Sequence, residues 1–571
     1  MRELYARLFS RPAIAVELIT ATFFITILAL ASPLFVMQVL NRYVAQGVDA
    51  TLVTLTTGVL IAIILELAFR EARTHLAQRL TTVADQNMTN SGFNVLTRAK
   101  LDALERVPPD MRREILNGTN AIEQAYSASN INAVLDVPFA LLFIFILYLL
   151  EPTIAFIVAG FLVVVFFGGL LGAASTQSKT NELTNHSGHT SAILGTAIRE
   201  SETVRAFNAV RLLQKDWAEN SGTVHNLRRK LNARQGFVQS LTQTSNALLS
   251  VTVIVVAGIL VVSGKMDVGA MIGTNILAAR ALQPITRFSQ LGASFTKAKQ
   301  AINLLAEFSK LPLERDKGSA LTEYTGGLEF RDLGFNYHGD SNPIFESLSF
   351  KIEPGSVLVV TGANGSGKTT LAKVIMGLFD PARGHIYADG LDIQQMATEW
   401  WRQQIVYLPQ EPALVNASIH ENLTINNPEA EPEQVNRMVD ATGLRQFVDE
   451  SENGLETMIV DNGWRLSEGI RRRIALARGL LTNGRLVIFD EPTESFDTQG
   501  VQTVHAILSQ FAQDGRTIIV MSHDAKIVKG RHTVLDLDNK PVPTVTNVSG
   551  AVASPPQAEN DVGGHQAGQA P

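Results

Sequence analysis

The sequence of 571 residues predicts an α-helical membrane domain with six spans, fused to an α/β domain built around a phosphate-binding loop. Three observations predict this fold class. The first half contains six apolar stretches long enough to cross a bilayer. The second half contains a glycine-rich loop, Gly362 to Thr369, between a predicted strand and a predicted helix. Further on, a run typical of a buried strand ends in Asp490 and Glu491.

Composition limits the possible functions. A chain of this length is expected to fold as two or more domains, and its low share of charged residues, 18%, suggests that part of it lies in lipid. The net charge of -6 is mild and no basic block resembles a nucleic-acid tract, so nucleic acid is not expected as a partner. The absence of cysteine excludes disulfides, thiolate metal sites and cysteine nucleophiles from this chain.

The membrane domain is predicted over residues 1–300. The apolar run that begins at residue 14 follows Arg2, Arg7 and Arg11 without an evident cleavage site, so it is expected to be a retained span. Arg280 interrupts the last stretch, for which a buried soluble helix is the alternative. The predicted spans are 14–38, 51–69, 131–150, 153–173, 245–263 and 268–285.

The distribution of basic residues predicts the orientation of the spans. Segments 71–130 and 174–244 are rich in Lys and Arg and should be cytoplasmic. The short connections at 151–152 and 264–267 are nearly free of basic charge and should lie outside, which places both termini in the cytoplasm. Each cytoplasmic segment is long enough for a helix pair that extends roughly 40 Å beyond the membrane, at about 1.5 Å per residue.

Two carboxylates, Glu66 and Asp136, lie within or beside apolar runs, where a charge is by default a functional hypothesis. Asp136 opens the third span beside Pro138, so we favour a structural role for it as a helix-start residue at the membrane interface.

The remaining boundaries follow from composition. Residues 301–325 pass from a helical pattern into a stretch with proline and glycine, which predicts a linker. The α/β domain is therefore expected over 326–540. Residues 541–571 are rich in Pro, Ala, Gly, Val and Gln without periodicity, which predicts a disordered tail.

The phosphate loop has the composition that binding a nucleoside triphosphate requires. Its glycines allow backbone N–H groups to converge on phosphate oxygens, Lys368 adds a positive charge, and Thr369 offers a hydroxyl to Mg²⁺. The loop predicts a bound nucleoside triphosphate with Mg²⁺, and the family resemblance described below implies that the nucleotide is ATP. The residues expected to bind the nucleotide here are Gly362, Asn364, Gly365, Ser366, Gly367, Lys368, Thr369 and Thr370.

Further residues suit ATP hydrolysis. Asp490 can hold Mg²⁺ through water, and Glu491 is the predicted catalytic base. His523 follows an apolar run and could contact the γ-phosphate and the attacking water, although a lone histidine is more often structural. Gln410 could sense Mg²⁺ and the γ-phosphate from a loop. Tyr337 could stack on adenine, although a lone aromatic here is more often part of the core.

These elements follow one another in a fixed order: Tyr337, the phosphate loop, Gln410, Leu466 to Ile470, Asp490 with Glu491, Asp497 and His523. The order resembles the nucleotide-binding domain of ABC transporters over 326–540, and the six-span half in front resembles the exporter branch of that family. The resemblance implies a dimer of half-transporters that exports a substrate with energy from ATP. It also implies that each ATP lies between the phosphate loop of one subunit and the signature helix of the other.

The signature sequence departs from the family pattern. The family reads Leu-Ser-Gly-Gly-Gln, whereas this chain has Glu468 at the third position and Ile470 at the fifth. Ser467 and Gly469 are retained, and the resemblance implies that they contact the nucleotide of the partner subunit. A Glu468 carboxylate at about 5 Å from phosphate would repel it by roughly 3 kcal/mol at an effective dielectric constant near 20. The alternative is a side chain that points to solvent, where its charge is screened.

Three segments of the membrane half resemble the ATPase/permease subunits of bacterial type I protein secretion: Ser32 to Arg42, Asp136 to Phe139, and Glu202 to Arg205. This resemblance implies a polypeptide cargo, a periplasmic adaptor, an outer-membrane channel, and an inner-membrane location with the ATPase domain in the cytoplasm. Leader-peptide cleavage by a cysteine peptidase is not expected, because the chain has no cysteine. The alternatives are a lipid or drug exporter, and a weakly hydrolysing ATP-binding subunit of an asymmetric heterodimer.

Overall fold

A computed structural model describes residues 2–45, 47, 49–337, 342–523, 527, 528 and 530–548 of the chain. The chain divides into two compact units. The first comprises residues 1–99 and 103–313, and the second comprises residues 100–102 and 314–571.

The part of the chain before residue 309 is helical. Its long helices are α4, α9 and α11, which have 50, 48 and 53 residues. The bounds are α1 Arg2–Ser10, α2 Pro12–Leu28, α3 Ala31–Gln38, a π-helix Val39–Val44, α4 Asp49–Arg98, α5 Leu101–Glu105, α6 Pro109–Ala125, α7 Ala128–Asp136, α8 Ala140–Leu150, α9 Pro152–Arg199, α10 Ser201–Ala206, α11 Val210–Val262, α12 Val268–Gln290 and α13 Gly292–Phe308.

Five helical segments are long and apolar enough to cross a membrane, among the residues that the structure describes. Each corresponds to one of the first five predicted spans. The sixth predicted span lies within α12, whose inward face carries fully buried Leu277, Ala278, Ala281 and Leu282. The five segments are Pro12–Val44, Asp49–Arg98, Ala128–Leu150, Pro152–Leu171 and Val210–Val262.

The long helices continue well beyond their apolar parts. A helix of 50 residues, such as α4, is about 75 Å long at roughly 1.5 Å per residue, whereas the hydrocarbon core of a bilayer is about 30 Å thick. The helices α4, α9 and α11 therefore have room for extensions of roughly 40 Å outside the membrane. This agrees with the helical extensions predicted from the sequence.

The prediction that Asp136 starts a helix is wrong. The helix of the third span starts at Ala128, and Asp136 is the last residue of α7, before a turn that contains Pro138. Proline lacks the N–H that a continuous helix needs, so it interrupts this span rather than opening it. The Asp136 carboxylate instead accepts a hydrogen bond from the buried Arg73 guanidinium at 2.5 Å. Glu66 forms an ion pair with Arg70, one helical turn away.

The second unit is an α/β structure with two sheets. Strands β1, β2, β4 and β5 form an antiparallel sheet, and the other six form a sheet in the order β10-β9-β3-β8-β7-β6. The bounds are β1 Leu328–Phe335, β2 Phe345–Ile352, β3 Val357–Thr361, α14 Lys368–Ile375, β4 Arg383–Ala388, β5 Leu391–Asp392, α15 Thr398–Gln403, β6 Ile405–Leu408, α16 Ile419–Thr424, α17 Pro432–Ala441, α18 Arg445–Glu450, α19 Glu468–Leu480, β7 Leu486–Asp490, α20 Thr498–Gln513, β8 Thr517–Met521, β9 His532–Asp536 and β10 Thr544–Val548.

The six-stranded sheet determines where the functional residues meet. Strand β8 pairs in parallel with β3 on one side and with β7 on the other, so the carboxyl ends of all three strands lie at one edge. The residues of β7 and β8 are buried, as their continuous apolar runs predict. Ligands of open α/β sheets bind at this edge.

Two predicted boundaries differ from the structure. Helix α13 continues to Phe308 and buries Ala301, Leu305 and Phe308 in the first unit, so residues 301–308 are not part of a linker. Residues Thr544–Val548 form β10, which pairs with β9, inside the predicted tail. Alternating Thr and Val residues favour a strand there. The rest of the predicted tail, 549–571, lies outside the described residues.

Candidate nucleotide-binding site

The phosphate loop connects the end of β3 to the start of α14. Gly365 and Gly367 have φ angles of 81° and 111°, in the left-handed region that favours glycine. A Cβ atom on Gly367 would also collide with the Ile344 side chain. The loop therefore needs glycine at 367 for two reasons, and it leads directly into a helix N-terminus, which attracts anions.

The Lys368 side chain spans the phosphate loop from the start of α14 to Gly362. Its side chain is 7% exposed, and its Nζ donates a hydrogen bond to the Gly362 carbonyl at 2.7 Å. The same nitrogen lies 3.4 Å from Glu491 Oε1. A buried cation in this position can bind phosphate oxygens as a point charge.

Thr369 and Asp490 form a pair of oxygen ligands suited to Mg²⁺. The Thr369 hydroxyl donates to Asp490 Oδ2 at 2.6 Å. Burial raises the pKa of Asp490, and the Thr369 hydrogen bond opposes that effect. Asp490 Oδ1 is buried without a hydrogen-bond partner among the described residues. A free buried carboxylate oxygen beside a hydroxyl fits a hard divalent cation such as Mg²⁺.

A second free polar atom lies in the loop itself. The Ser366 hydroxyl is buried and has no hydrogen-bond partner within the part of the chain that the structure describes. Buried hydroxyls are normally paired, so this donor fits a loop that binds phosphate oxygens.

Glu491 lies between Lys368 and His523. Its side chain is 5% exposed, and its Oε2 is 3.1 Å from the Nδ1 atom of His523, which is itself largely exposed. The backbone of Glu491 has a φ angle of 45°, which is uncommon for a residue with a side chain, and its N–H donates to the Met521 carbonyl of β8. The end of β7 and the segment after β8 thus bring these two residues together.

Gln410 lies in the loop that follows β6. Its Nε2 donates to Glu494 Oε2 at 3.3 Å. Its backbone carbonyl accepts from Arg472 at 2.6 Å. The side chain therefore contacts the segment that follows Glu491.

Tyr337 lies beside the phosphate loop. Its hydroxyl is 2.9 Å from the Thr370 hydroxyl, which fixes the ring next to α14. The ring also packs edge-to-face against Phe335 and Phe379. Asn364 lies at the exposed part of the loop.

The signature segment starts helix α19. The Ser467 hydroxyl accepts a hydrogen bond from the Ile470 N–H at 3.3 Å and so caps the helix. Gly469 lies in the first turn. Hydrogen bonding from Ser495, with smaller effects of Arg472 and Arg471, lowers the pKa of Glu468. Glu468 is therefore ionised, but its charge has partners in its own chain.

Arg472 was not singled out from the sequence. Its side chain is 1% exposed, and its guanidinium donates to the backbone carbonyls of Glu491 at 3.0 Å and Gln410 at 2.6 Å. It also lies 3.4 Å from Glu468 and 3.6 Å from Glu494. The sequence signal that could have indicated this role is the position of Arg472 beside the apolar residues 474–477 of the same helix.

Two family models match the chain. The model described as the ABC transporter transmembrane region matches residues 16–285, and the model described as ABC transporter matches residues 345–494. Together they cover most of the chain. The chain belongs to the ABC transporters.

Several relatives of this ABC transporter are translocation proteins. The alpha-hemolysin translocation ATP-binding protein HlyB of Escherichia coli O157:H7 is 27% identical over 92% of this chain and 74% of that protein. The toxin RTX-I translocation ATP-binding protein of Actinobacillus pleuropneumoniae is 24% identical over the same shares. The leukotoxin translocation ATP-binding protein LktB of Mannheimia haemolytica is 25% identical, again over 92% and 74%.

A solved structure shares the fold of this ABC transporter. It is a bacterial Atm1-family ABC exporter with ATP bound, with a TM-score of 0.78 and 21% identity. The similarity covers 93% of this chain and 94% of that one. The predicted fold class, a helical transmembrane domain fused to an α/β ATPase domain, is thereby confirmed.

Membership of the ABC transporters establishes the general activity. This chain binds ATP with Mg²⁺, hydrolyses ATP to drive export, and works as a dimer. It lies in the inner membrane, with its ATPase domain in the cytoplasm. The predictions of family, cofactors, enzyme class and location are confirmed.

Proposed function

We propose that this ABC transporter exports a polypeptide from the bacterial cytoplasm by type I secretion. The observation that carries the proposal is the similarity to toxin translocation proteins over 92% of the chain. The proposed partners are a second half-transporter, a periplasmic adaptor, an outer-membrane channel and the polypeptide cargo.

The proposed roles of the site residues follow from their positions. The phosphate loop and Lys368 bind the phosphates, and the Thr369 hydroxyl with the Asp490 carboxylate would hold Mg²⁺. When bound, this cation neutralises charge on the phosphate oxygens. Glu491 accepts a proton from the attacking water, and His523 orients the Glu491 carboxylate through its Nδ1 contact.

The remaining site residues have proposed roles outside the phosphate loop. Tyr337 stacks on the adenine ring. Ser467 and Gly469, at the start of α19, contact the nucleotide held by the partner subunit. Gln410 connects the loop after β6 to the segment after Glu491 through its hydrogen bond with Glu494. A change from ATP to ADP at Glu491 would therefore alter the position of the loop after β6.

Deleting the gene in its source bacterium tests the export proposal. We expect at least one polypeptide to disappear from the culture medium and to accumulate inside the cells. Complementation with the wild-type gene should restore its export, whereas Glu491→Gln should not, because that variant lacks the proposed base. Quantitative proteomics of medium and cells gives the measurement.

The same strains distinguish the alternative substrates. An unchanged set of polypeptides in the medium, together with altered membrane lipids or increased sensitivity to drugs, would contradict polypeptide export and identify a lipid or drug exporter. The Glu491→Gln strain separates an effect of transport from an effect of protein amount, provided that immunoblots show equal expression.

The contacts of Glu468 bear on the alternative of a weakly hydrolysing subunit. Because Arg472 and Ser495 offset its charge within the chain, we expect Glu468→Gly to change the ATP hydrolysis rate by less than about threefold, well below the effect of an unscreened 3 kcal/mol repulsion. The measurement is phosphate release by the full-length protein in lipid nanodiscs. A rise of more than about tenfold would show that Glu468 inhibits the native dimer.

A further inference from the structure

A small cleft in the membrane unit is lined by basic side chains from α4 and α12. Its volume is about 60 Å³, which is room for about four water molecules or one carboxylate group. The polar residues that line it are Arg70, Arg73, Asp136, Arg280, Gln283 and Arg287.

The cleft has an excess of positive charge. Arg73 pairs with Asp136, and Arg70 pairs with Glu66. Arg280 and Arg287 have no hydrogen bond or ion pair within the part of the chain that the structure describes. Four arginines and one carboxylate, that of Asp136, line the cleft, and Glu66 compensates Arg70 from outside the lining, which leaves two positive charges without compensation.

The depth of Arg280 makes this excess unusual. Helix α12 begins at Val268, just after the predicted outer turn. Arg280 is about 18 Å along the helix from that end, at about 1.5 Å per residue. It therefore lies within the predicted span 268–285, where charged side chains almost always face a water-filled cavity or a charged partner. Arg287 lies just beyond the inner end of this predicted span.

The exposed face of α12 differs from a lipid-facing surface. In its inner half the exposed residues include Gln283, Arg287 and Gln290, which are polar. Helix α4, in contrast, exposes apolar Leu60 and Ile64 in its membrane-spanning part. A polar face of this kind fits an aqueous path or a protein neighbour better than acyl chains.

One of the arginines that line the cleft has a buried donor without an acceptor. Arg73 is 6% exposed, its NH1 atom is held by Asp136, and its Nε has no hydrogen-bond partner among the described residues. Guanidinium groups bind carboxylates through paired N–H donors. The cleft thus combines the fixed guanidinium of Arg73 with the unpaired guanidinium groups of Arg280 and Arg287. Together they have the charge and the N–H donors that bind a carboxylate.

We propose that this cleft binds a carboxylate side chain from an acidic stretch of the exported polypeptide. The proposal rests on the proposed function, and it names the chemical class of the cargo segment that the membrane unit recognises. Arg280 and Arg287 supply the charge, and Arg73 supplies a positioned donor beside them.

Peptide binding to the full-length dimer tests this proposal. The protein is placed in nanodiscs of uncharged phosphatidylcholine, and fluorescence anisotropy follows a labelled glycine and serine peptide that carries glutamates. We expect the double variant Arg280→Gln, Arg287→Gln to bind this peptide at least about tenfold more weakly than wild type, because two charge-assisted contacts are lost. A peptide with glutamine in place of glutamate should bind wild type equally weakly.

A matched control removes the same charge elsewhere. Arg211 and Arg228 are exposed on α11 and do not line the cleft, so Arg211→Gln with Arg228→Gln should keep wild-type affinity. The charge-conserving variant Arg280→Lys, Arg287→Lys should retain most of the binding. Thermal unfolding of each variant shows whether a loss of binding reflects a loss of fold.

Two outcomes would overturn the proposal. One is equal affinity of wild type and the Gln double variant for the acidic peptide. The other is no peptide binding by wild type, together with an anionic phospholipid that copurifies with wild type and is lost in the Gln variant, which would assign the cleft to lipid. Failure of the deletion test contradicts polypeptide export without changing these affinities, so the two failures are distinguishable.

Discussion

Replacing Glu491 by Gln is expected to lower the rate of ATP hydrolysis by about 10²–10⁴-fold, the usual contribution of a general base. The substitution keeps the size of the side chain but removes its negative charge, and with it the ability to accept the proton of water and the ion pair with Lys368. The contacts of Lys368 with the Gly362 carbonyl and of Thr369 with Asp490 do not involve this carboxylate. ATP binding should therefore persist, as measured with labelled ATP beside phosphate release in nanodiscs.

A matched control is Glu433→Gln, which makes the same chemical change on the exposed surface of α17. It should leave both hydrolysis and ATP binding at wild-type values. A Glu491→Gln protein that retained more than about a tenth of the wild-type rate would contradict the assignment of Glu491 as base. In that case His523, whose imidazole lies beside the Glu491 carboxylate, would be the next residue to substitute.

Much of the architecture was predictable because it depends on local patterns. Apolar runs of about 20 residues can only be satisfied as helices in lipid, so the spans could be located from composition. The positions of the phosphate loop, of Asp490 and Glu491 and of His523 near strand ends could also be predicted, because each follows a continuous apolar strand run. The parallel pairing of β3, β8 and β7 then brings them to one edge.

Other features depend on contacts between distant residues and could not be read from local patterns. Asp136 was assigned to a helix start, whereas its partner Arg73 is 63 residues away. The amide of Gln410 pairs with Glu494, which is 84 residues away. The strand Thr544–Val548 was missed because a biased composition hid a short segment that is ordered by pairing with β9. The sequence does not indicate the role of Arg472, because its guanidinium binds two backbone carbonyls, and no sequence motif predicts contacts of that kind.

Replacing Arg472 by Met is expected to destabilise the second unit by about 2–4 kcal/mol, because two buried carbonyls lose their donor. The substitution keeps most of the side-chain volume but removes the donors to the Glu491 and Gln410 carbonyls, and a buried acceptor without a partner costs about 1–3 kcal/mol. Its partner Glu468 is 47% exposed, so solvent limits the cost of losing that ion pair. Thermal unfolding of the full-length protein should shift down by roughly 5–15 °C.

The control is Arg465→Met, which removes a guanidinium that is 77% exposed. Within the described residues this guanidinium forms an ion pair with Asp461 alone. This variant should change the unfolding temperature by less than about 2 °C, because exposed ion pairs contribute little. An Arg472→Met protein with wild-type stability and wild-type ATP hydrolysis would show that the carbonyls of Gln410 and Glu491 are held without the guanidinium. If stability falls but the remaining folded protein hydrolyses ATP normally, Arg472 supports the fold alone. If both stability and the rate of ATP hydrolysis fall, the guanidinium also positions Glu491. Arg472 lies on α19 and donates a hydrogen bond to the Glu491 backbone carbonyl, so it can fix that residue in place.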